Sequence, residues 1–95
     1  MANPPSEIKV KIADEVLKGS YANTLLVAHT AEEFVLDFIL SLPPQPVCAA
    51  RVLVCPGHLK RIVTALQQNL ARYEAVHGTV AASPDPGAGT IGFTN

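Results

Sequence analysis

The sequence predicts an α+β domain: a four-stranded antiparallel meander followed by one long C-terminal helix. Three observations carry this. Residues 7–12 alternate apolar and charged side chains. Three further stretches, 21–29, 34–42 and 47–55, are short, apolar and rich in Val, Leu, Ile and Phe, with turn-formers between them. Leu59, Ile62, Val63, Leu66, Leu70 and Tyr73 then recur at helical spacing.

The first stretch places Ile8, Val10 and Ile12 on one side and Glu7, Lys9 and Lys11 on the other. Period two with a charged outer face is expected of an edge strand, where lysines also discourage wrong pairing. Residues 14–20 read as a connection with Val16 and Leu17 as its apolar anchors, closing on Gly19 and Ser20. In 21–29, Tyr21, Asn23, Leu25, Val27 and His29 share a face, and Ala22, Thr24, Leu26 and Ala28 take the other. Thr30 is able to bond its own local backbone, so HTAEE reads as a hairpin loop. In 34–42, Phe34, Leu36, Phe38, Leu40 and Leu42 oppose Val35, Asp37 and Ile39. A helical reading of so short a run stays open, but aromatic and β-branched enrichment and the flanking breakers favour a strand. Pro43-Pro44-Gln45-Pro46 ends it, because proline cannot donate to a ladder. Residues 47–55 are apolar or small except Arg51. Pro56 suits the first helical position, where its missing N–H leaves nothing unsatisfied. His77-Gly78 supplies the stop.

Domain organisation follows. Residues 1–6 and 79–95 are expected to be a disordered start and a flexible Pro/Gly-rich tail, leaving 7–78 as one folding unit. A core of that size supplies only about 3–5 kcal/mol and needs a staple, a metal or a partner. Cys48 and Cys55 are the two cysteines of the chain. Seven apart in one strand, they point to opposite faces and are poorly placed to bridge. They are expected to be two small buried hydrophobes in a reducing compartment.

Composition bounds the function. The chain is 48% apolar and only 16% charged, with a net charge of −1. That leaves no basic excess to neutralise a phosphate backbone, which argues against nucleic acid. No apolar run reaches the roughly 18 residues of a membrane span, and no signal-peptide pattern opens the chain. The expected location is cytoplasmic.

One helix covers one sheet face, yet the alternation makes both faces partly apolar. Leu26, Val35 and Ile39 on the sheet, with Leu66, Leu70 and Tyr73 on the helix, are therefore the expected interface. The partner is a second copy, as a homodimer or dimer of dimers, packed sheet on sheet or helix on helix. The rival account folds the termini back over the exposed face. Separately, Ile91-Gly92-Phe93 in the tail has the makings of a short docking motif that gains order on binding a partner, the alternative being a disordered end.

Candidates for chemistry are few. Cys55 and His58 have the spacing of half a zinc site, but a structural zinc needs four ligands, and only Cys48, His29 and His77 remain. Asp37 lies inside an apolar strand, where an unpaired carboxylate is costly. Arg51 is the cation of the neighbouring strand on the same face, so an Asp37–Arg51 pair across the strands is expected to set the register. The Gly-rich PGAGT lacks the lysine of a phosphate loop. No catalytic, cofactor-binding or metal-binding residues are assigned.

The pieces Tyr21-Ala22-Asn23, His29-Thr30, Glu33-Phe34, Leu36-Asp37-Phe38, Arg51-Val52, Pro56 with His58, Lys60-Arg61, Leu66 and Tyr73-Glu74 resemble a family of small bacterial proteins known only as a domain of unknown function. Members usually carry Ser or Thr before the helix proline, where Cys55 stands here, which implies a weaker helix start. The order of elements and the CPGHLKRIVTAL and HGTV cadence are also similar to the export chaperone SecB. That similarity implies dimers of dimers and a role in holding unfolded polypeptide. The expected function is thus a non-enzymatic, homo-oligomeric protein-binding module, specifically a SecB-like holdase. The alternative is a small nucleic-acid-associated regulator using Lys60, Arg61 and Arg72.

Overall fold

A computed structural model describes residues 7–84 and 92–94. The expected disorder of 1–6 and most of the tail, Ile91 included, fall outside these residues. The element order is α1 (Asp14–Leu17), β1 (Thr24–His29), β2 (Phe34–Leu40), β3 (Val47–Val54) and α2 (Pro56–His77). The three strands form one antiparallel sheet in the order β1-β2-β3. Among the described residues the architecture is therefore α+β, a meander followed by a helix, with three strands instead of the expected four.

The missing strand is residues 7–12. They lie outside the sheet, and Ile8 and Val10 are 85% and 79% exposed. Alternation reports which side chains wish to be buried. It does not supply the neighbouring backbone that a strand needs for its ladder. The connection after it contains one helical turn, α1, with Asp14 and Glu15 in the first turn, where negative charge is favoured.

Local chemistry sets the hairpins. Asn23 extends the β1–β2 ladder with its side chain: its amide nitrogen donates to the Ser41 carbonyl (3.1 Å), and its oxygen accepts from the Ser41 N–H (2.8 Å). At the other end, Thr30 Oγ1 accepts from the N–H groups of Glu32 and Glu33 (3.2 and 3.3 Å), and the Thr30 N–H donates to the Glu33 carbonyl (2.9 Å). A hydroxyl that satisfies two loop donors turns the chain tightly without Gly.

β2 is the central strand and holds the core. Leu36 is 7% exposed and Ile39 2%. The pairing of β2 with β3 is interrupted once: Phe38 faces Ala50, but Ile39 faces Cys48, so Ala49 is an extra residue. This bulge moves Cys48 to the face that carries Asp37 and Arg51.

α2 does not cover the sheet. Its contact with the strands is marginal, and none of its residues is buried. Leu59 and Ile62 are half-buried, while Leu66 is 65% exposed. The radius of gyration is 17.0 Å, against about 13 Å for a compact chain of this length. The expectation that the helix would cover one sheet face is thus corrected: it leaves the sheet as an arm. β3 runs into the helix with only Cys55 between them, so no loop is available to fold the helix back.

The helix ends differ in quality. Gly78, at φ 89°, closes the C-terminus with its N–H on the Glu74 carbonyl (2.9 Å). Cys55 is the N-cap, and its side chain makes no capping bond. Cys55→Ser supplies an oxygen for an orphan N–H. It is expected to stabilise the fold by about 0.5–1 kcal/mol, read as a rise in the urea midpoint at unchanged slope; no rise would mean that the first turn is already satisfied by water.

Candidate functional site

The sheet is one layer thick, and its two faces differ. One carries Thr24, Leu26 and Ala28, then Val35, Asp37 and Ile39, then Cys48, Arg51 and Leu53. Arg51 lies directly opposite Asp37. Its Nε donates to Asp37 Oδ1 at 2.7 Å and its Nη2 to Oδ2 at 3.0 Å, a two-point contact that fixes both planes. Cys48 Sγ approaches Oδ1 at 4.0 Å and donates to the Ala50 carbonyl at 3.5 Å. Asp37 is 4% exposed, while the Arg51 side chain is half-exposed. The guanidinium hydrogen bonds hold the Asp37 carboxyl below its ordinary 3.8, against the shielding that would raise it. The same bonds raise the affinity of Arg51 for its proton. Phe93 reaches this face from the tail, its ring centroid 5.1 Å from the Arg51 guanidinium carbon, within the range of a cation–π contact.

The opposite face carries Leu25, Val27 and His29, then Phe34, Leu36, Phe38 and Leu40, then Val47, Ala50, Val52 and Val54. No Asp, Glu, Lys or Arg lies on it. Leu25, Val27, Val47 and Val52 are each between 43% and 60% exposed. His29 stacks tilted on Phe34 with centroids 5.2 Å apart. A sheet face meant for water carries polar side chains at these positions.

The residues expected at an interface divide accordingly. Leu26 and Val35 are half-buried and Ile39 is enclosed. Ile39 is therefore not available for contact; it is sheltered by the chain that surrounds the central strand. Most of the exposed large apolar side chains of the sheet, Leu25, Val27, Val47 and Val52, lie on the Leu36 side, with Leu53 on the other. Leu66, Leu70 and Tyr73 lie together along the free helix, at least half of each exposed. Cys48 and Cys55 are both free thiols and both exposed, which corrects the expectation that they are buried hydrophobes. The cause is the absence of a second layer over β3 and over the start of α2.

Two features were not read from the sequence. The bulge at Ala49 has no signal in a run of two alanines, since either parity of 47–55 is apolar. The contact of Phe93 with Arg51 joins residues remote in sequence. Among the described residues, no group of three or more His, Cys, Asp and Glu side chains stands close enough to hold a metal ion. Among the same residues, no helix is long and apolar enough to cross a membrane.

The residues of the resemblance now have physical roles. Asn23 clamps Ser41, Thr30 shapes the loop before Glu33-Phe34, Asp37 and Arg51 pair, and Pro56 opens α2. No curated protein and no solved structure matches this chain, so the likeness to SecB gains no support from comparison. A family model described as a protein of unknown function, DUF3467, matches residues 1–82. The chain is a member of that DUF3467 family.

Proposed function

We propose that this protein works by contact, as a non-enzymatic homo-oligomeric module that binds protein in the cytoplasm. The observation that carries the reading is the Leu36 face: an apolar sheet surface with no charged side chain, whose centre at Leu36 is buried but whose edge-strand residues Leu25, Val27, Val47 and Val52 stay 43–60% exposed. Water is a poor neighbour for such a surface, and contiguous apolar area of several hundred Å² marks a place where another polypeptide lies. The partner that fits is an apolar, extended segment of protein, with side chains that fill the pleats between Leu25, Val27, Val47 and Val52 and backbone that bonds an edge. In its specific form the reading is a holdase for unfolded polypeptide.

The test is light scattering from a chemically unfolded client diluted into buffer. The protein is expected to suppress scattering at or below one copy per client. The paired substitution Val27→Thr with Val52→Thr keeps shape while placing hydroxyls on the face, and is expected to weaken suppression severalfold. No suppression by the native chain at equimolar amounts ends the holdase reading.

A second reading has one observation in its favour. Lys60 and Arg61 sit side by side with Thr64, Ala65 and Gln68 around a shallow hollow of about 280 Å³ on α2. A small nucleic-acid-associated regulator would use this edge together with Arg72. Retardation of DNA that fades steeply with added salt would favour it over protein binding.

A further inference from the structure

We propose that α2 pairs with the α2 of a second copy as a two-fold, antiparallel helix pair, and that this seam joins the copies of the module. The inference rests on the oligomeric reading above and gives it a surface, a direction and a register.

The spacing comes first. Leu59, Val63, Leu66, Leu70, Tyr73 and His77 follow one another at steps of four and three. This is the repeat of 3.5 residues that keeps one stripe facing a partner helix along its whole length. Leu59, Leu66 and Tyr73 occupy one core position of the heptad, and Val63, Leu70 and His77 the other. The stripe is open in the single chain: Val63, Leu66, Leu70 and Tyr73 are between 45% and 65% exposed. A free apolar stripe on a helix of 22 residues, ~33 Å long, is a seam without its other half.

Direction follows from the flanks. In an antiparallel pair the two kinds of core position face each other. Setting Leu66 against the partner's Leu70 then sets Val63 against Tyr73 and Leu59 against His77, and symmetry repeats each layer. In this register Lys60 falls opposite the partner's Glu74, twice. Within one chain these residues are 14 apart on one helix, ~21 Å along its axis, so they cannot pair with each other. On the other flank Ile62 meets the partner's Val76, and Asn69 meets its own copy beside the two-fold axis. Every residue bordering the seam thus meets a group of its own kind or of opposite charge. A parallel pair would instead set Gln67 against Ile62 and leave Lys60 and Glu74 without opposite charges. The Glu74 carboxylate is already oriented, because Oε2 accepts the Val80 N–H at 2.8 Å, which leaves Oε1 for the lysine. Tyr73 is steadied by its stacking on His77, with centroids 4.6 Å apart. The Leu36 sheet face takes no part and stays open for a client.

The test is sedimentation of the full chain at ~1–100 µM, spanning the midpoint of micromolar association. The native protein is expected to be a dimer. Lys60→Glu puts two acids on the flank of each helix, and Glu74→Lys puts two bases there. Each variant alone is expected to dimerise about tenfold more weakly. A one-to-one mixture of the two is expected to recover native affinity as a mixed dimer, and so is the chain carrying both substitutions. Should Glu74→Lys fail to fold by circular dichroism, Ile62→Cys and Val76→Cys chains on a Cys48→Ser, Cys55→Ser background replace it. Mixed and oxidised, they are expected to cross-link to each other. A native dimer with neither charge rescue nor, in that substitute, cross-linking overturns the helix pairing while leaving the oligomer standing. A native monomer throughout that range overturns both.

Discussion

Ile39→Ala is expected to leave the chain without a cooperative unfolding transition at 25 °C, or with one shifted to far lower urea. Ile39 is the most enclosed side chain of the core, at 2% exposure, in the middle of the central strand. It faces Thr24 on β1 and Cys48 on β3, beside the bulge. Truncating a buried Ile to Ala costs about 2–5 kcal/mol, the methylene transfer plus the cavity that remains. The backbone around the bulge is held on both sides by ladders, so the gap has little room to close. A folding unit of this size draws about 3–5 kcal/mol from its core, so the loss is comparable to the whole. Ile39→Val removes one methylene and is expected to cost about 0.5–1.5 kcal/mol. Urea titrations followed by circular dichroism separate the two. A midpoint for Ile39→Ala within error of the native chain would mean that the core lies elsewhere.

The second large effect concerns the Asp37–Arg51 pair and depends on pH. Because the folded carboxyl titrates below its ordinary 3.8, the unfolded chain takes up the proton first as pH falls. The contribution of the pair is therefore complete above about pH 4, near the unfolded value. It is lost as pH drops through the lower folded value. Asp37→Asn keeps the shape but removes the charge, so it deletes this contribution at neutral pH. It also leaves an amide NH₂ where the guanidinium N–H needs an acceptor. Thermal melts at pH 7 are expected to show a fall of roughly 5–10 °C. The native and variant melting curves are then expected to converge as pH is lowered from 4 toward 2. Replacing the pair together, by Asp37→Leu with Arg51→Met, is expected to cost less than Asp37→Asn alone, since no buried group is then left without a partner. Curves that stay parallel down to pH 2 would show that the carboxylate contributes nothing through its charge.

The parts of the fold that were legible in the sequence are those governed by neighbours along the chain. The helix over Pro56–His77 is written in its spacing, its opening proline and its closing His-Gly. The strands over Thr24–His29, Phe34–Leu40 and Val47–Val54 are written in apolar runs cut by turn chemistry. The need of Asp37 for a cation is also a local matter, because a carboxylate flanked by Leu36 and Phe38 has no other affordable state. Arg51 was the available cation on the neighbouring strand.

The order of residues tells which side chains seek shelter and in which local conformation. Where that shelter is found is settled by packing between segments remote along the chain. Residues 7–12 have the alternation of a strand but no ladder, because pairing depends on a second backbone and not on the pattern itself. The bulge at Ala49 chose between two apolar parities of β3, a choice made by the register of β2 across the sheet. The direct passage from β3 into α2 carries the helix stripe away from the sheet. The apolar surface that one chain was expected to close upon therefore faces outward. Burial is a property of pairs of surfaces, and a single sequence specifies only one member of each pair.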